Sequence, residues 1–236
     1  MAVNTWSDIK TAFETNVGYA NNVFFSDAAQ VRMANRALDE LGQSTRYLEA
    51  SGQCNAVSGT ATYAAEEGYR INRIEYDDVV LFPITRDDMR HMDRDWATRT
   101  GLPKYFYLDE QSNAAAADWL YFSVWYTPSA NLTNGFRYYY DAVPTAVSNS
   151  SPSAEMEIPE WACGAVLFYM LSEAYEAETN LQNFETAAMY RMMYRDIRDR
   201  LEVRSNDRLP KKWKAGAPHS PTLRVLNRLP DRVPEP

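Results

Sequence analysis

Apolar residues recur at spacings of three and four near both ends of the chain, whereas the middle alternates over short segments. Near the N-terminus this pattern predicts one helix that begins after Thr5 and ends at Gly18, and another from Ser26 to Gly42. The spacing of Thr5 and Asp8 is typical of a capping box, and serine suits an N-cap. We expect glycine to end both helices, because it readily adopts the left-handed conformation.

Two longer helices are predicted near the C-terminus, from Ile158 to Glu178 and from Asn183 to Arg204. The first is apolar almost all round, which is typical of a helix buried on several sides. It is shorter than the about 20 apolar residues of a membrane span, so the burying surface should be protein. The second is amphipathic. The predicted bundle core contains Trp161, Ala165, Phe168, Leu171, Tyr190, Tyr194, Ile197 and Leu201.

The middle of the chain is rich in β-branched and aromatic residues over short segments, which is typical of strands. Weak signals mark residues 45–50 and 60–64, and stronger aromatic signals mark 105–107, 119–126 and 136–140. These strands predict a small antiparallel sheet or sandwich inserted between the helices. The fold class is therefore α+β.

Three further segments belong to this middle region. Thr85 is predicted to cap a short helix that carries Trp96 on one face with two methionines, and Asn134-Gly135 is typical of a turn between strands. Residues 144–157 are rich in Ser and Pro, so we expect a linker that returns to the helices.

Helical periodicity disappears after Arg204, and six prolines prevent a continued helix. We therefore predict an extended arm without a core of its own, which is either disordered or ordered by a partner. The predicted regions are the N-terminal helices 1–44, the β-rich insert 45–157, the C-terminal helix pair 158–204 and the arm 205–236.

The net charge of −8 is unevenly distributed. From Ser205 onward there are seven bases and three acids, so the tail carries +4 and the preceding body −12. An acidic body argues against non-specific duplex binding, because that affinity comes from neutralising phosphates. We expect the basic tail to meet an acidic or polar partner. The first residues lack the pattern of a signal peptide, so cytoplasmic synthesis is expected.

The sequence offers little chemistry. His91, Asp93 and Asp95 have side chains of the kinds that bind metal ions, but these positions do not share a helical face. The acids of residues 173–178 lack the Glu-x-x-His partner of a carboxylate metal bundle. The nucleophile, zinc and phosphate-loop motifs of common enzymes are missing from the sequence. We therefore predict no catalytic residue, metal ligand or cofactor.

Two other functions are open from the residues alone. One is a hydrolase with Asp109 or Glu110 and Asp118 as catalytic carboxylates, in which the aromatic insert forms a sugar-binding cleft. The other is a single-strand nucleic-acid binder that stacks bases on the aromatic strands. Since no basic groove accompanies those strands, packing in a core or an oligomer contact is the preferred interpretation.

Five short segments, in their order along the chain, carry a family resemblance. They are Arg36–Gly42 at the end of an early helix, Trp96, Gly101–Tyr107, Tyr138–Tyr140 and Ile158–Trp161 at the start of the C-terminal helix pair. This order, over about residues 5 to 204, resembles the podovirus-type phage head-to-tail adaptor (connector) family. The order carries the resemblance more than any single segment does.

The resemblance implies a structural, non-enzymatic virion protein at the head-tail junction. Family members form a ring, usually of twelve copies, below the portal, with helices around a DNA channel. The implied partners are other copies, the portal, a tail nozzle or hub protein and tail fibres, while genomic DNA passes without specific binding and no membrane is involved. The arm is expected to reach the portal, with Leu209, Lys211, Lys212, Trp213, Lys214, Leu223, Arg224, Val225, Leu226 and Arg228 as candidate contacts.

Overall fold

The first helix, α1 (Trp6–Val17), begins and ends where its caps predict. Thr5 and Asp8 form the expected capping box, and Gly18 follows the helix with a φ of +78°. The computed structural model describes residues 5–18, 24–108, 119–177 and 182–208.

Helix α2 (Asp27–Thr45) begins as predicted, with the Ser26 hydroxyl accepting a hydrogen bond from a backbone N–H of the first turn. Its predicted end at Gly42 is wrong, because the helix continues for three more residues. Arg46 then adopts the left-handed conformation at φ 50°, and its N–H donates to the Gly42 carbonyl at 3.0 Å. Thr45 is therefore helical and does not begin a strand.

The C-terminal helices are α4 (Gly164–Glu176) and α5 (Phe184–Arg208), and a short 3-10 turn at Glu160–Ala162 precedes α4. Helix α4 packs against α1, α2 and α5, in agreement with its nearly uniform apolar character. The predicted first helix thus begins later than expected, and α5 extends four residues beyond Arg204.

The core of these helices contains most of the side chains assigned to it. Ala165, Leu171, Tyr194 and Leu201 are buried, while Phe168, Tyr190 and Ile197 are partly buried and pack against the cluster. Trp161 is the exception, because its side chain is 39 % exposed. It lies in the 3-10 turn before α4, where the Arg204 guanidinium covers its ring at 4.4 Å.

The segment after the insert folds onto the helices instead of acting as a free linker. Asn35 exchanges two hydrogen bonds with the backbone of Val147, at 2.8 and 3.2 Å. Trp6 donates from its indole nitrogen to Asn149 at 3.0 Å. Met156 and Ile158 join the buried cluster. Residues 142–158 are therefore a structural part of the helical core.

The middle of the chain contains nine strands and one α-helix among its described residues. The strands are β1 (Glu49–Ala56), β2 (Thr62–Tyr76), β3 (Val79–Val80), β4 (Phe82–Pro83), β5 (Thr100–Gly101), β6 (Tyr105–Leu108), β7 (Trp119–Trp125), β8 (Thr127–Pro128) and β9 (Leu132–Ala142), and the helix is α3 (Arg86–Met92).

The larger sheet has the order β1-β9-β2-β7-β6-β4, with β3 paired to β2, and β5 pairs with β8 separately. The prediction of a purely antiparallel sheet needs correction, because β4 with β6 and β5 with β8 are parallel. Helix α3 and a 3-10 turn at Trp96–Thr98 lie between β4 and β6. A crossover of this kind allows the second strand to run in the same direction.

Two local predictions in the sheet unit are wrong. The predicted short helix ends at Met92 and not beyond Trp96, which lies in the separate 3-10 turn. Asn134 lies within β9 at φ 51° rather than in a turn, and its N–H donates to Asn55 at 2.8 Å. At Asn134, the contact with a distant residue outweighs the local turn signal.

The described chain divides into two compact units, a helical unit within Met1–Leu48 and Ala142–Arg208 and a sheet unit within Glu49–Asp141. The insert begins and ends on paired strands, since Glu49 opposes Asp141 in the β1–β9 register. Within the helical unit, the Ala142 N–H donates to the Leu48 carbonyl at 2.9 Å. The overall class is α+β, as predicted.

Candidate assembly surfaces

Helix α5 has two faces of different character. Its core stripe contains Ala187, Tyr194 and Leu201, which are buried. The opposite side carries four exposed apolar side chains, which we call the α5 outer face. They are Met189 (40 % exposed), Met192 (65 %), Met193 (41 %) and Val203 (62 %).

A groove lies beside Val203 at the C-terminal half of this face. It encloses about 590 Å³ and is lined by Trp161, Asp196, Asp199, Arg200, Val203 and Arg204. Asp196 pairs with Arg200 at 2.7 Å, and Asp199 pairs with Arg198 at 2.7 Å. The groove is therefore amphipathic and nearly neutral, with an indole ring on one wall.

A polar network joins α2, α4 and α5 on another side of the helical unit. Arg36 and Glu173 form an ion pair at 2.8 Å, and the rings of Tyr169 and Tyr194 meet edge to face at 5.3 Å. Burial, and then the charge of Glu173, raises the pKa of Tyr169 to about 12. Burial likewise raises the pKa of Tyr194. These groups hold the helices together and are not arranged as an acid–base pair.

The aromatic residues of the sheet unit mainly pack on one another. Trp125 contacts Tyr105 and Tyr126 at centroid distances of 5.2 and 5.0 Å, and Trp96 meets Tyr107 at 6.4 Å. Trp125 and Tyr107 are buried. Rings that are used this way do not form an open platform for sugars or bases.

The carboxylates of the hydrolase interpretation, Asp109, Glu110 and Asp118, lie outside the described residues. The described aromatic rings pack on one another and do not supply a cleft for this interpretation. The hydrolase is therefore not favoured.

One of the residues considered for metal binding has other partners. Asp93 accepts hydrogen bonds from the Asp95 backbone at 2.9 Å and from Arg99 at 2.8 Å, and these hold the pKa of its carboxyl below the usual range. Among the described residues, no three His, Cys, Asp or Glu side chains are grouped to hold an ion.

Ten candidate portal contacts between Leu209 and Arg228 lie outside the described residues. No helix within 5–18, 24–108, 119–177 or 182–208 combines the length and hydropathy of a membrane crossing. The sequence interpretation overlooked the α5 outer face. Its signal was present in the sequence, because the predicted core stripe leaves Met189, Met192 and Met193 on the other side of the helix.

The described residues form helices around a buried core, a β-rich insert and an exposed apolar helix face. The chain belongs to the SU10 adaptor protein family, which matches residues 4–220. No curated protein shows significant similarity to it. It is therefore a phage adaptor, a virion component of the head-tail junction with a structural role. Adaptors of this kind interact with other connector proteins and oligomerise.

Proposed function

We propose that this protein forms a ring of about twelve copies below the portal, connects the portal to the tail, and continues the DNA channel. The observation that carries the proposal is the family match to residues 4–220, which covers both units and the first residues of the arm. The ring is made from chains synthesised in the host cytoplasm. Its other partners are a tail nozzle or hub protein and tail fibres.

The arm is the proposed portal contact. It is basic, since Lys211, Lys212 and Lys214 follow closely after α5, whereas the preceding body is acidic. Trp213 and the apolar residues around Val225 supply the large side chains that anchor interfaces. The division into N-terminal helices, insert, helix pair and arm is part of the same proposal.

The acidic body suits a channel through which DNA moves without adhering. Phosphates and carboxylates repel each other, so the ring should lack the counterion-release term that drives non-specific binding. Duplex retention by the assembled ring, measured between 50 and 200 mM salt, tests this directly. Tight retention that falls steeply with salt would contradict the proposed channel.

The experiment for the adaptor function is the mass of the full chain, alone and with its portal, beside two variants. One ends after Arg208, because α5 extends to that residue. The other keeps the arm but replaces its three lysines between 211 and 214 by alanine. We expect the full chain to join the portal as a ring, the truncation to fail, and the lysine variant to bind more weakly. A full chain that ignores the portal would refute the function.

A further inference from the structure

Trp161 exposes part of its indole ring to the groove at the C-terminal half of α5, although tryptophan is a residue type that is highly buried on average. The ring is 39 % exposed even with the Arg204 guanidinium over it at 4.4 Å. Val203, which is 62 % exposed, lines the same groove. Its volume of about 590 Å³ lies within the roughly 300 to 1,000 Å³ of pockets that hold a bound group. A large apolar side chain in the groove would therefore bury both surfaces.

The chain itself continues from the end of this groove. Five of the six lining residues belong to α5, between Asp196 and Arg204, and the helix ends at Arg208. Pro210 cannot continue the helix, because proline lacks a backbone N–H and clashes with the preceding turn. The family match includes residues 209–220, which we call the proximal arm, and stops there. The proximal arm is thus tethered within two helical turns of the groove.

The length of the proximal arm matches the position of the groove. An extended chain advances about 3.3 Å per residue and a helix 1.5 Å. A chain that turns back at Pro210 therefore carries Trp213 back by about 10 Å, while Val203 lies about 8 Å before the end of α5 at Arg208. Trp213 thus comes level with Val203 and Trp161. It is the single Phe, Tyr or Trp of the proximal arm.

The charges of the proximal arm are compatible with this path. It contains three lysines and no acid. The two acids and two arginines that line the groove cancel each other, and the neighbouring Glu202 is exposed and forms no ion pair with any described residue. The lysines also follow directly after the C-terminal end of α5, where the helix dipole favours cations. Apolar contact inside the groove and cations at its edge are therefore supplied by one segment.

We propose that the proximal arm turns back at Pro210 and inserts Trp213 into the groove of its own chain, against Trp161 and Val203. The tether favours this arm over that of another copy. A short flexible connection gives an effective concentration on the order of millimolar, far above that of a neighbouring arm in dilute solution.

The docking has a consequence for the portal contact, and that consequence rests on the proposed function. Successive side chains of an extended segment point to opposite sides, so Lys212 and Lys214 face away from α5 when Trp213 faces it. Trp213 is then an anchor within the chain. The two lysines and the apolar residues around Val225 remain for the portal, and the anchor fixes the place from which they start.

The test is fluorine NMR of the full chain carrying 5-fluorotryptophan, at a concentration where it is monomeric. The six tryptophan signals are resolved, and those of Trp161 and Trp213 are assigned with Trp161→Phe and Trp213→Phe. We expect the Trp213 signal to lie away from its position in urea. Truncation after Arg208 should shift the Trp161 signal, because the indole of Trp213 no longer covers that ring.

Val203 provides the matched variant pair. Val203→Arg fills the groove and repels the lysines, so it should move the Trp213 signal to its position in urea, whereas Val203→Ile should leave it unchanged. Because Val203 is 62 % exposed, both variants should keep the circular dichroism spectrum and thermal midpoint. A Trp213 signal that ignores Val203→Arg would mean that Trp213 packs elsewhere, and the proposal would be wrong.

Limited trypsin digestion gives an independent readout. Cleavage after Lys214 should be at least tenfold faster in Val203→Arg than in the wild type, while cleavage after Arg228 should stay within twofold. Trp213→Ala should accelerate cleavage after Lys214 to the same extent, and the double variant should add nothing, because both changes remove one contact. Acceleration that multiplies in the double variant would overturn the contact between Trp213 and the groove.

The outcomes separate this proposal from the adaptor function. A Trp213 signal at its urea position in a full chain that joins the portal as a ring would refute the docking and leave the function intact. A docked Trp213 in a full chain that ignores the portal would do the reverse. A Trp213 signal that leaves its urea position only as protein concentration rises would show the arm in another copy's groove, and docking within one chain would be wrong.

Discussion

Leu171→Ala tests the central position of α4 in the helical unit. Leu171 is 1 % exposed in the main buried cluster, and α4 packs against three other helices. Removing buried methyl groups from such a site costs about 2 to 5 kcal/mol, and more where the surroundings cannot collapse. Because α4 is fixed on three sides, we expect a loss of about 3 to 4 kcal/mol in the free energy of unfolding.

Urea unfolding followed by circular dichroism at 222 nm is the suitable assay, because α1, α2, α4 and α5 all belong to the helical unit. With an m-value of about 2 kcal/mol/M, the midpoint should fall by about 1.5 to 2 M. Protein concentration is kept low and equal, since assembly adds apparent stability. The matched control is Leu102→Ala, where leucine is 70 % exposed and the change should stay within about 0.5 kcal/mol. A loss below about 1 kcal/mol for Leu171→Ala would refute the assigned packing of α4.

Three further substitutions should each change the stability of the protein in a defined direction. The pKa of Tyr169 is raised to about 12 from an ordinary 10.0, so the unfolded chain releases the phenol proton at lower pH than the folded protein does. The free energy of unfolding should therefore fall as pH rises from about 10 through 12. Thermal melts over this pH range should show a smaller fall for Tyr169→Phe. Gly68→Ala would place a methyl 2.7 Å from the Asp141 carbonyl oxygen, and should cost the sheet unit about 1 to 3 kcal/mol in free energy of unfolding. The thermal midpoint of this unit, followed by near-ultraviolet dichroism, should therefore fall. An unchanged midpoint would contradict that close approach. Thr5→Ala should cost about 1 kcal/mol at the start of α1 in urea unfolding, whereas Thr5→Ser should not.

The starts of α1 and α2 could be predicted from the sequence because their causes are local. The hydroxyl of Ser26 reaches a backbone N–H only three residues away, and the same is true of the Thr5 cap. The end of α2 was mispredicted because its cause is tertiary. Thr45 is buried by the packing of the helical unit, and no local pattern in the sequence states that burial.

Strand pairing and surface character depend on residues far apart in sequence. Pairing of β4 with β6 requires the intervening α3 to bring Pro83 beside Phe106, which no short pattern states. The predicted core stripe through Tyr194 already placed Met189 and Met192 on the other side of α5, and the structure confirms that both are exposed. The family resemblance, carried by the order of segments, was confirmed.

The hydrogen bond between Ala142 and Leu48 has a topological consequence. The chain leaves the helical unit at Leu48 and re-enters it at Ala142, and these two residues are hydrogen-bonded neighbours. For the helical unit, residues 49–141 are therefore equivalent to a long loop whose ends are about one strand spacing apart, or roughly 5 Å. Closing such a loop depends only weakly on its length, since each doubling adds about 0.6 kcal/mol. We therefore expect the helices to keep their path when the length of the insert changes.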